Sequence, residues 1–459
     1  RPSANFPYQR QRPSYYDWEE KWKEYNPVHP VLARGALVYH DGRQVTARNL
    51  YTGELMWQVP EQVDVDTDGR TNLSDVFSPV VADGVVYAAV EVAVPYLPQT
   101  LQGVPITYYL PERRLIAIDL ETGDVLWHHD EAFFAAHPGS EALKRLSVTG
   151  APVVRGDHLY AGATYTEGTF HNFLVSVDRH TGRAVYATRI SNGQQELNLF
   201  GRQLQECSPT PVTEADGVLY FGTNLGVFAA VDALLGSPVW ATTYSFVPIP
   251  STYYWFEAPR RWPWLANNPP LVSGNLVLAA PADGDRIVAF DRRSGRIAWD
   301  VAHRIPLDDG RSVTVRAVLG ADAERMYLSG SSGIVALWLV DDAERGAAPG
   351  RRAWHTEFLE EHAGAGRGLM DATSLWVPTY GAVYRVDRES GKVLDIVTRD
   401  GEDLHEPANL VWGDGVLVEG GRHHVAARFD RGQVVALARA RIREQPDEVA
   451  PLLGAADVY

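Results

Sequence analysis

The sequence is poor in sulfur: its 459 residues include one cysteine, Cys207, and three methionines. A single cysteine excludes a disulfide within the chain and excludes metal sites built from paired cysteines. Free cysteines that are not in an electropositive, accessible setting are mostly buried and inert. We therefore expect Cys207 to be a buried structural residue.

Positive charge and long apolar runs are also missing. The chain carries 42 Lys and Arg against 58 Asp and Glu, a formal net charge of −16. Nucleic-acid binding requires a basic surface, and no basic cluster stands out in the sequence, so this class of function is not expected. No run of 18 apolar residues is present, so no membrane-spanning helix is predicted. The sequence also lacks the HExxH, phosphate-loop and Ser-His-Asp signatures of common enzyme classes.

What the chain does contain is a repeat, clearest at residues 115–127, LIAIDLETGDVLW. An apolar run leads to Asp119, Gly123 follows four residues later, and Trp127 follows eight residues later. Glycine between two apolar runs is typical of a tight turn between strands. The same spacing recurs at Asn49/Gly53/Trp57, Asp178/Gly182/Tyr186, Asp232/Gly236/Trp240 and Asp291/Gly295/Trp299.

Three further copies are degenerate. Asp387/Gly391 keeps the turn but has Leu394 and Asp395 near the aromatic position. In another copy, the apolar run at residues 334–338 is followed by an insertion before Trp354. Residues 425–430 have the apolar run without the turn. The eight anchors, at positions 49, 119, 178, 232, 291, 338, 387 and 430, are spaced 43 to 70 residues apart. Each unit offers about four short strands, and helical periodicity occurs only at the two ends. The sequence therefore predicts an all-β fold, an eight-bladed β-propeller.

The motif A-x-D-x-x-T-G-x-x-x-W, placed after a G-x-V-Y strand, resembles the tryptophan-docking motif of pyrroloquinoline-quinone-type (quinoprotein-type) propellers. The resemblance covers roughly residues 30–430. This family includes quinoprotein alcohol dehydrogenases and a non-catalytic propeller lipoprotein of the outer-membrane assembly machinery. The resemblance implies an exported protein, periplasmic or elsewhere in the cell envelope. The aromatic residues of the motif are expected to fill the wedges between blades.

The two ends differ from the rest, which divides the chain into an arm (1–30), the propeller (31–430) and a tail (431–459). In the arm, Tyr15, Trp18, Trp22 and Tyr25 share one face of a predicted short helix, which either docks on the propeller or binds a partner protein. The tail has a helical pattern similar to the start of a tetratricopeptide-like array. Because the eighth unit lacks an outer strand and a propeller must close, we expect a segment of the first 50 residues to supply that strand.

Residues 64–75, DVDTDGRTNLSD, have the spacing of a calcium-binding loop, since Ca²⁺ prefers six to eight hard oxygen ligands in a compact turn. An acidic turn without a metal is the alternative. The predicted ligands are Asp64, Asp66, Asp68, Arg70 through its carbonyl, Asn72 and Asp75.

Two long connections are rich in aromatic residues, which dominate the binding energy of many protein interfaces. We predict that they form an interaction surface for other proteins, although the rings could instead cover the propeller core. The residues concerned are Tyr253, Tyr254, Trp255, Phe256, Trp262, Trp264, Tyr108 and Tyr109.

The function predicted from these features is a non-catalytic scaffold for protein–protein contacts. The resemblance also implies an alternative, a dehydrogenase using pyrroloquinoline quinone and calcium. Such dehydrogenases pair their cofactor with a vicinal disulfide, which one cysteine excludes, so the quinone is not expected. A second alternative is a carbohydrate-binding propeller with Trp255, Trp262 and Trp264 as sugar platforms. Candidate polar groups near the propeller axis are Arg202, Glu206, Asn268, Arg316, Arg367, Glu406 and Asn409.

Overall fold

The computed structural model describes the part of the chain that forms the repeat. The described residues are 26–62, 75–92, 99–101, 104–106, 112–167, 169–194, 209–247, 267–360, 362–398, 406–413, 415–421 and 424–429, with residues 432 and 443. They fold into an eight-bladed, all-β propeller, as the sequence predicts. Among the described residues, no helix is long and apolar enough to cross a membrane.

The first four blades are antiparallel sheets of four strands each. Blade one contains β1 (Val31–Ala33), β2 (Ala36–His40), β3 (Val45–Asn49) and β4 (Leu55–Val59). Blade two contains β5 (Val80–Ala82), β6 (Val85–Glu91), β9 (Arg113–Asp119) and β10 (Val125–His128), with a separate hairpin of β7 (Gln99–Leu101) and β8 (Val104–Ile106) between β6 and β9. Blade three contains β11 (Ser147–Arg155), β12 (His158–Glu167), β13 (Thr169–Asp178) and β14 (Ala184–Gln194). Blade four contains β15 (Thr213–Ala215), β16 (Val218–Gly222), β17 (Val227–Asp232) and β18 (Pro238–Thr243).

The other four blades vary more in strand number. Blade five contains β19 (Leu271–Ser273), β20 (Leu276–Ala279), β21 (Arg286–Asp291) and β22 (Ile297–Ala302). Blade six has five strands, β23 (Arg304–Pro306), β24 (Ser312–Ala321), β25 (Arg325–Gly330), β26 (Gly333–Trp338) and β27 (Arg352–Glu357). Blade seven contains β28 (Leu369–Met370), β29 (Ser374–Pro378), β30 (Ala382–Asp387) and β31 (Val393–Thr398). Blade eight has three described strands, β32 (Asn409–Gly413), β33 (Val416–Gly420) and β34 (Val425–Phe429).

Strand order follows chain order from the axis outwards. The innermost strands of neighbouring blades contact each other, as β1 contacts both β5 and β32, so these strands surround the axis. In blade six the innermost strand is β24, which contacts β19 and β28. The outermost strands carry a β-bulge: Val125 pairs with Ile118 but Trp127 pairs with Ala117, which leaves Leu126 unpaired. Because a bulge re-aims side chains, Trp127 points into the blade junction while Leu126 is exposed.

The core is divided among the blade junctions. In the described part of the chain, eight clusters of buried apolar residues each join one blade to the next, and the last joins blade eight to blade one. This last cluster packs Val416 and Val418 of blade eight against Leu37 and Leu50 of blade one. A thin sheet cannot bury both of its faces alone, so each blade depends on its neighbours.

The strand predicted to complete blade eight is only partly tested. Residues 31–49 form the first three strands of blade one, so they are not the segment that completes blade eight. The rest of the predicted segment, residues 1–25, lies outside the described residues, as does nearly all of the tail. The described chain joins the two blades through side chains: Asn26 donates to the Gly420 carbonyl at 2.7 Å, and Asn409 donates to the carbonyls of Asn26 and Val28.

Helices also occur within the propeller, in a part of the sequence where the apolar residues show no helical periodicity. Helix α1 (Glu131–Ala136) and a 3₁₀ turn (Pro138–Leu143) lie between blades two and three. Asp130 caps α1 by accepting a hydrogen bond from the Phe133 backbone N–H at 2.7 Å. A helix of six residues is too short to show the 3.6-residue period, which is why the sequence did not reveal it.

Candidate functional site

The turn between the third and fourth strands has one construction in six blades. In blade two, Oδ1 of Asp119 accepts hydrogen bonds from the backbone N–H groups of Glu121 and Thr122, both at 2.9 Å. The Thr122 N–H also holds the pKa of Asp119 below its usual value. Gly123 then adopts φ +79°, a left-handed conformation that glycine takes at little cost. The equivalent anchors are Asn49, Asp178, Asp232, Asp291 and Asp387.

Five of these turns receive an aromatic ring from the preceding blade, and no described ring lies over the turn of blade one. Trp57 of blade one donates its indole N–H to the Leu120 carbonyl of blade two at 2.8 Å. Its ring covers Gly123, where an added Cβ would lie only 2.7 Å from the ring carbon Cγ. The further donor–acceptor pairs are Trp127 with Arg179, Tyr186 with Ala233 and Trp240 with Arg292, at 2.9 to 3.0 Å. This confirms that the aromatic residues of the repeat pack between blades.

At blades six and seven the ring contact is kept without a described hydrogen bond from the indole. Trp299 packs against Gly350, which the insertion after β26 supplies, and Trp354 packs against Gly391. The indole N–H groups of both are buried, and no described residue accepts a hydrogen bond from them. Blade seven has Asp395 where the aromatic would be.

Blade four departs from the pattern at the tip of its turn. Leu234 and Leu235 donate their backbone N–H groups to Oδ1 of Asp232, so the turn itself is kept. Their side chains are 69% and 71% exposed, and Val239 of the following strand is 52% exposed. In four other turns a hydroxyl occupies the position of Leu235 and donates to the anchor carboxylate, namely Thr122, Thr181, Ser294 and Ser390.

The polar residues near the axis connect blades. Oδ1 of Asn268 accepts from the Val318 N–H of blade six, and Oδ1 of Asn409 accepts from the Arg367 N–H of blade seven, both at 2.9 Å. Glu406 lies 3.5 Å from His424. Of the other predicted axial groups, Arg316 is partly buried in β24, whereas Arg202 and Glu206 lie outside the described residues.

Sequence reasoning missed a second set of polar groups that connect blades. Asp283, fully buried in blade five, accepts from the Gly226 N–H at 2.8 Å and from the Tyr244 hydroxyl at 2.6 Å, both of blade four. Asn224 and Asn267 join the same two blades, with Asn224 donating to Asn267 at 3.2 Å. Asp283 and Asn224 follow the second strands of their blades, and Asn267 precedes a first strand. A polar residue at these positions of the repeat was the sequence signal that could have identified them.

Asp75 is the one predicted calcium ligand among the described residues. It is buried and accepts a hydrogen bond from the Arg113 guanidinium at 2.9 Å. Arg113 lies 4.9 Å over the ring of Phe77, which also packs against His40. Burial lowers the pKa of His40 to about 3, and burial lowers that of His29 to about 3, so both imidazoles are neutral near pH 7. In the described part of the chain, no group of three or more His, Cys, Asp or Glu residues could hold a metal ion.

The remaining predicted site residues lie outside the described residues. They are the calcium-loop residues Asp64, Asp66, Asp68, Arg70 and Asn72, the loop aromatics Tyr108, Tyr109, Tyr253, Tyr254, Trp255, Phe256, Trp262 and Trp264, and the single cysteine Cys207. Their assignments stay predictions.

Eight blades joined by aromatic docking turns define a propeller of the pyrroloquinoline-quinone repeat type. A family model described as outer membrane protein assembly factor BamB matches residues 16–252, just over half of the chain. The chain therefore belongs to this family of repeat propellers.

Solved structures share the fold at low sequence identity. BamB from Moraxella catarrhalis is 15% identical with a TM-score of 0.52, and the match covers 88% of this chain and 96% of that one. The computationally designed Ika8 protein is 14% identical with a TM-score of 0.52, covering 89% and 98%. The quinohemoprotein alcohol dehydrogenase ADHIIG from Pseudomonas putida HK5 is 14% identical with a TM-score of 0.52, covering 89% and 72%. No curated protein matches the sequence. At these identities the likeness concerns the fold alone.

Proposed function

We propose that this chain is a non-catalytic β-propeller scaffold that holds other proteins in an extracytoplasmic assembly of the cell envelope. Its family, described as an outer-membrane assembly factor, supports the compartment and the role. The observation that carries the proposal within the chain is the pair Leu234 and Leu235 at the tip of the blade-four turn.

The side chains of these two leucines have no role in forming the turn, which uses only their backbone N–H groups. The same conformation is built elsewhere with polar residues, Glu121 and Thr122 in blade two, and the leucine at position 235 gives up the hydroxyl bond to the anchor carboxylate. Leu234 and Leu235 are each about 70% exposed and place adjacent apolar surface in water, and contiguous exposed apolar surface often marks a site of protein–protein contact. The turn tip is thus suited to an apolar contact with another protein.

A double substitution tests this role. Leu234→Glu with Leu235→Thr recreates the blade-two turn, and a photo-crosslinking amino acid at the exposed Ser237 reports neighbouring proteins in the native host. We expect the substitution to remove the crosslinked species while leaving the unfolding midpoint unchanged or higher. Leu126→Glu, at a comparably exposed leucine of blade two, is the matched control and should retain the crosslinks. Equal crosslinking in the wild type and the double variant would contradict the proposal.

The alternative of a quinone-dependent dehydrogenase finds little support near the axis. Among the described axial residues, Asp283 uses both carboxylate oxygens, and Asn409 uses its oxygen and its nitrogen, in hydrogen bonds between blades. Binding a quinone or its metal through them would break contacts that hold the ring together. Asp283 and Asn409 are therefore poor candidates for cofactor ligands, and the single cysteine cannot form a vicinal disulfide within the chain. The carbohydrate-binding alternative depends on Trp255, Trp262 and Trp264.

Calcium binding by residues 64–75 and partner binding by the loop aromatics are further parts of the proposal. Residues 64–75 precede β5 in the chain. Their last residue, Asp75, is buried and paired with Arg113. A bound Ca²⁺ would tie this connection to the propeller. We treat the ion as structural in this scaffold.

A further inference from the structure

The turns on either side of the blade-four turn carry exposed arginines. We call the blade-four turn the leucine turn, after Leu234 and Leu235 at its tip. Arg183 ends the corresponding turn of blade three, and Arg293 and Arg296 belong to that of blade five. All three arginines are exposed, and together they are called the arginine flank here.

Ring contacts place the arginine flank on both sides of the leucine turn. On the blade-three side, the Tyr186 ring covers Gly236, and its hydroxyl donates to the Ala233 carbonyl at 2.9 Å. Arg183 precedes Tyr186 by three residues, which span at most about 10 Å when extended. On the blade-five side, the ring of Trp240 covers the turn glycine, and its indole N–H donates to a carbonyl of that turn at 3.0 Å. The leucine turn therefore lies between two basic turns.

The guanidinium groups of the arginine flank are not used in contacts within the described structure. Among the described residues, no carboxylate forms an ion pair with any of the three. The arginines that directly follow the anchors of the same two turns behave differently. Arg179 binds Asp83 at 2.5 Å, and Arg292 binds Asp216 at 2.7 Å, so these pairs join neighbouring blades. The arginine flank instead presents its charge to solvent.

Formation of the turn does not require a basic residue at these positions. Arg293 lies two residues after its anchor, and Arg183 and Arg296 lie five residues after theirs. The turns of blades one and two have acidic residues at the same positions, namely Glu54, Glu121 and Asp124. Turns of both kinds keep the hydrogen bonds to the anchor and the left-handed glycine. In a chain of net charge −16, free basic residues thus occur on the two turns beside the exposed leucines.

We propose that the leucine turn and the arginine flank form one interface, and that its partner is a protein with acidic side chains around an apolar contact site. The inference rests on the proposed scaffold function and names the chemistry of the partner. Burial of the leucines supplies apolar contact area. Arginine binds carboxylates through two parallel hydrogen bonds, and complementary charge accelerates association and selects the partner.

Two other occupants would also suit an apolar tip with basic neighbours. They are a second copy of this chain and the surface of an anionic membrane. The net charge of −16 opposes both, because the rest of the surface repels another copy and repels anionic lipid. An acidic site on a different protein avoids this cost when the acidic residues are local. The experiment below separates the three occupants.

Charge reversal of the arginine flank tests the interface. The photo-crosslinking amino acid at Ser237 of the full chain reports neighbouring proteins in the native host. The triple variant Arg183→Glu, Arg293→Glu and Arg296→Glu should lower the crosslinking yield at least about tenfold, since like charges then face each other. The corresponding triple lysine variant keeps the charge and should retain most of the yield.

A matched control has the same change in net charge at other exposed basic residues. It combines Arg145→Glu, Arg189→Glu and Lys392→Glu, and its crosslinking yield should be close to that of the wild type. Each variant should keep the wild-type unfolding midpoint, because exposed substitutions change stability little. An equal loss of yield in the control and in the flank variant would reduce the effect to net charge and overturn the proposal.

Mass spectrometry of the crosslinked peptide identifies the occupant. We expect a peptide of another protein that carries several Asp or Glu residues, and a peptide without them would overturn the proposal. A peptide of this chain would assign the interface to a second copy. Cosedimentation with phosphatidylglycerol vesicles that the triple glutamate variant loses would assign it to a membrane. Either assignment would overturn the acidic protein partner.

The leucine double variant keeps this test separate from that of the scaffold function. If crosslinks are lost in Leu234→Glu with Leu235→Thr but persist in the triple glutamate variant, the arginine contact is wrong and the scaffold function stands. If they persist in the leucine variant as well, or are absent from the wild type, the scaffold contact itself is wrong.

Discussion

The ring of Trp57 rests on Gly123 of the next blade, and its indole N–H binds the Leu120 carbonyl beside that turn. One side chain therefore combines a hydrogen bond with a large buried apolar area across a blade junction. Because the same contact recurs at other blade junctions, loss of one aromatic side chain should weaken a single junction.

Removing this ring should be costly. We expect Trp57→Ala to lower the free energy of unfolding by about 3–5 kcal/mol, the range for large aromatic truncations in a core. Trp57→Phe should lose less, roughly the 0.5–1.5 kcal/mol of a net hydrogen bond plus some packing. The exposed neighbour Met56→Ala is the control, with a change within about 0.5 kcal/mol. Urea unfolding followed by tryptophan fluorescence and circular dichroism measures these differences, and equal losses for Trp57→Ala and Met56→Ala would refute the docking role.

Asn409 should be critical for closing the ring. Its side chain accepts from the Arg367 N–H of blade seven and donates to the Asn26 and Val28 carbonyls that lead into blade one. Asn409→Ala leaves buried backbone groups without these partners, so a loss of about 2–4 kcal/mol is expected. Asn275→Ala, at an exposed turn, should change stability little. Faster hydrogen exchange confined to blades seven, eight and one would locate the effect, whereas a loss no larger than that of Asn275→Ala would argue against it.

The spacing of anchor, glycine and aromatic residue was enough to predict the propeller, because each residue type is required by the local structure of the turn or of the blade junction. Asp119 is needed to accept two backbone N–H groups, Gly123 to take a left-handed φ, and a ring to fill the wedge. These requirements recur at the same residue spacing in each blade, so they can be recognised in a single sequence.

Partners far apart in the sequence could not be found in this way. Asn26 binds Gly420, and Asp283 binds Gly226 and Tyr244, contacts set only when blades meet. The leucine pair of blade four is different, since aligning the turns shows leucine at a position held elsewhere by threonine or serine. That signal was present in the sequence and was missed.

Stability should fall as the pH is lowered below 6.5. Burial lowers the pKa of His129 to about 4, and His29 and His40 have pKa values of about 3. Between pH 6.5 and these pKa values, the three histidines bind protons in the unfolded chain but stay neutral in the folded protein. Each histidine then costs up to about 1.4 kcal/mol per pH unit.

His129 offers a specific test of this dependence. It stacks on Trp127 and binds the Gly182 carbonyl at 2.7 Å, so His129→Asn will also lower stability at pH 7.5. The informative quantity is the difference between unfolding free energies at pH 7.5 and pH 5.0, which should be smaller in the variant. An identical pH difference in the two proteins would mean that His129 titrates alike when folded and unfolded.

Calcium should stabilise the protein if residues 64–75 bind it. Ligand at about 100 times its dissociation constant adds roughly 2.7 kcal/mol to folding, and the unfolding midpoint should rise accordingly. The triple variant Asp64→Asn, Asp66→Asn and Asp68→Asn should lose this rise, and magnesium should not reproduce it. An unfolding midpoint of the wild type that does not respond to calcium would count against the site.

The central claim, a scaffold without catalysis, is tested most directly by adding the cofactor of the catalytic propellers. The purified full chain is incubated with pyrroloquinoline quinone and calcium, passed over a desalting column, and assayed with alcohols and sugars and a dye electron acceptor. We predict that no quinone absorbance stays with the protein and that dye reduction equals the protein-free blank. Retained quinone together with substrate-dependent dye reduction would contradict the account.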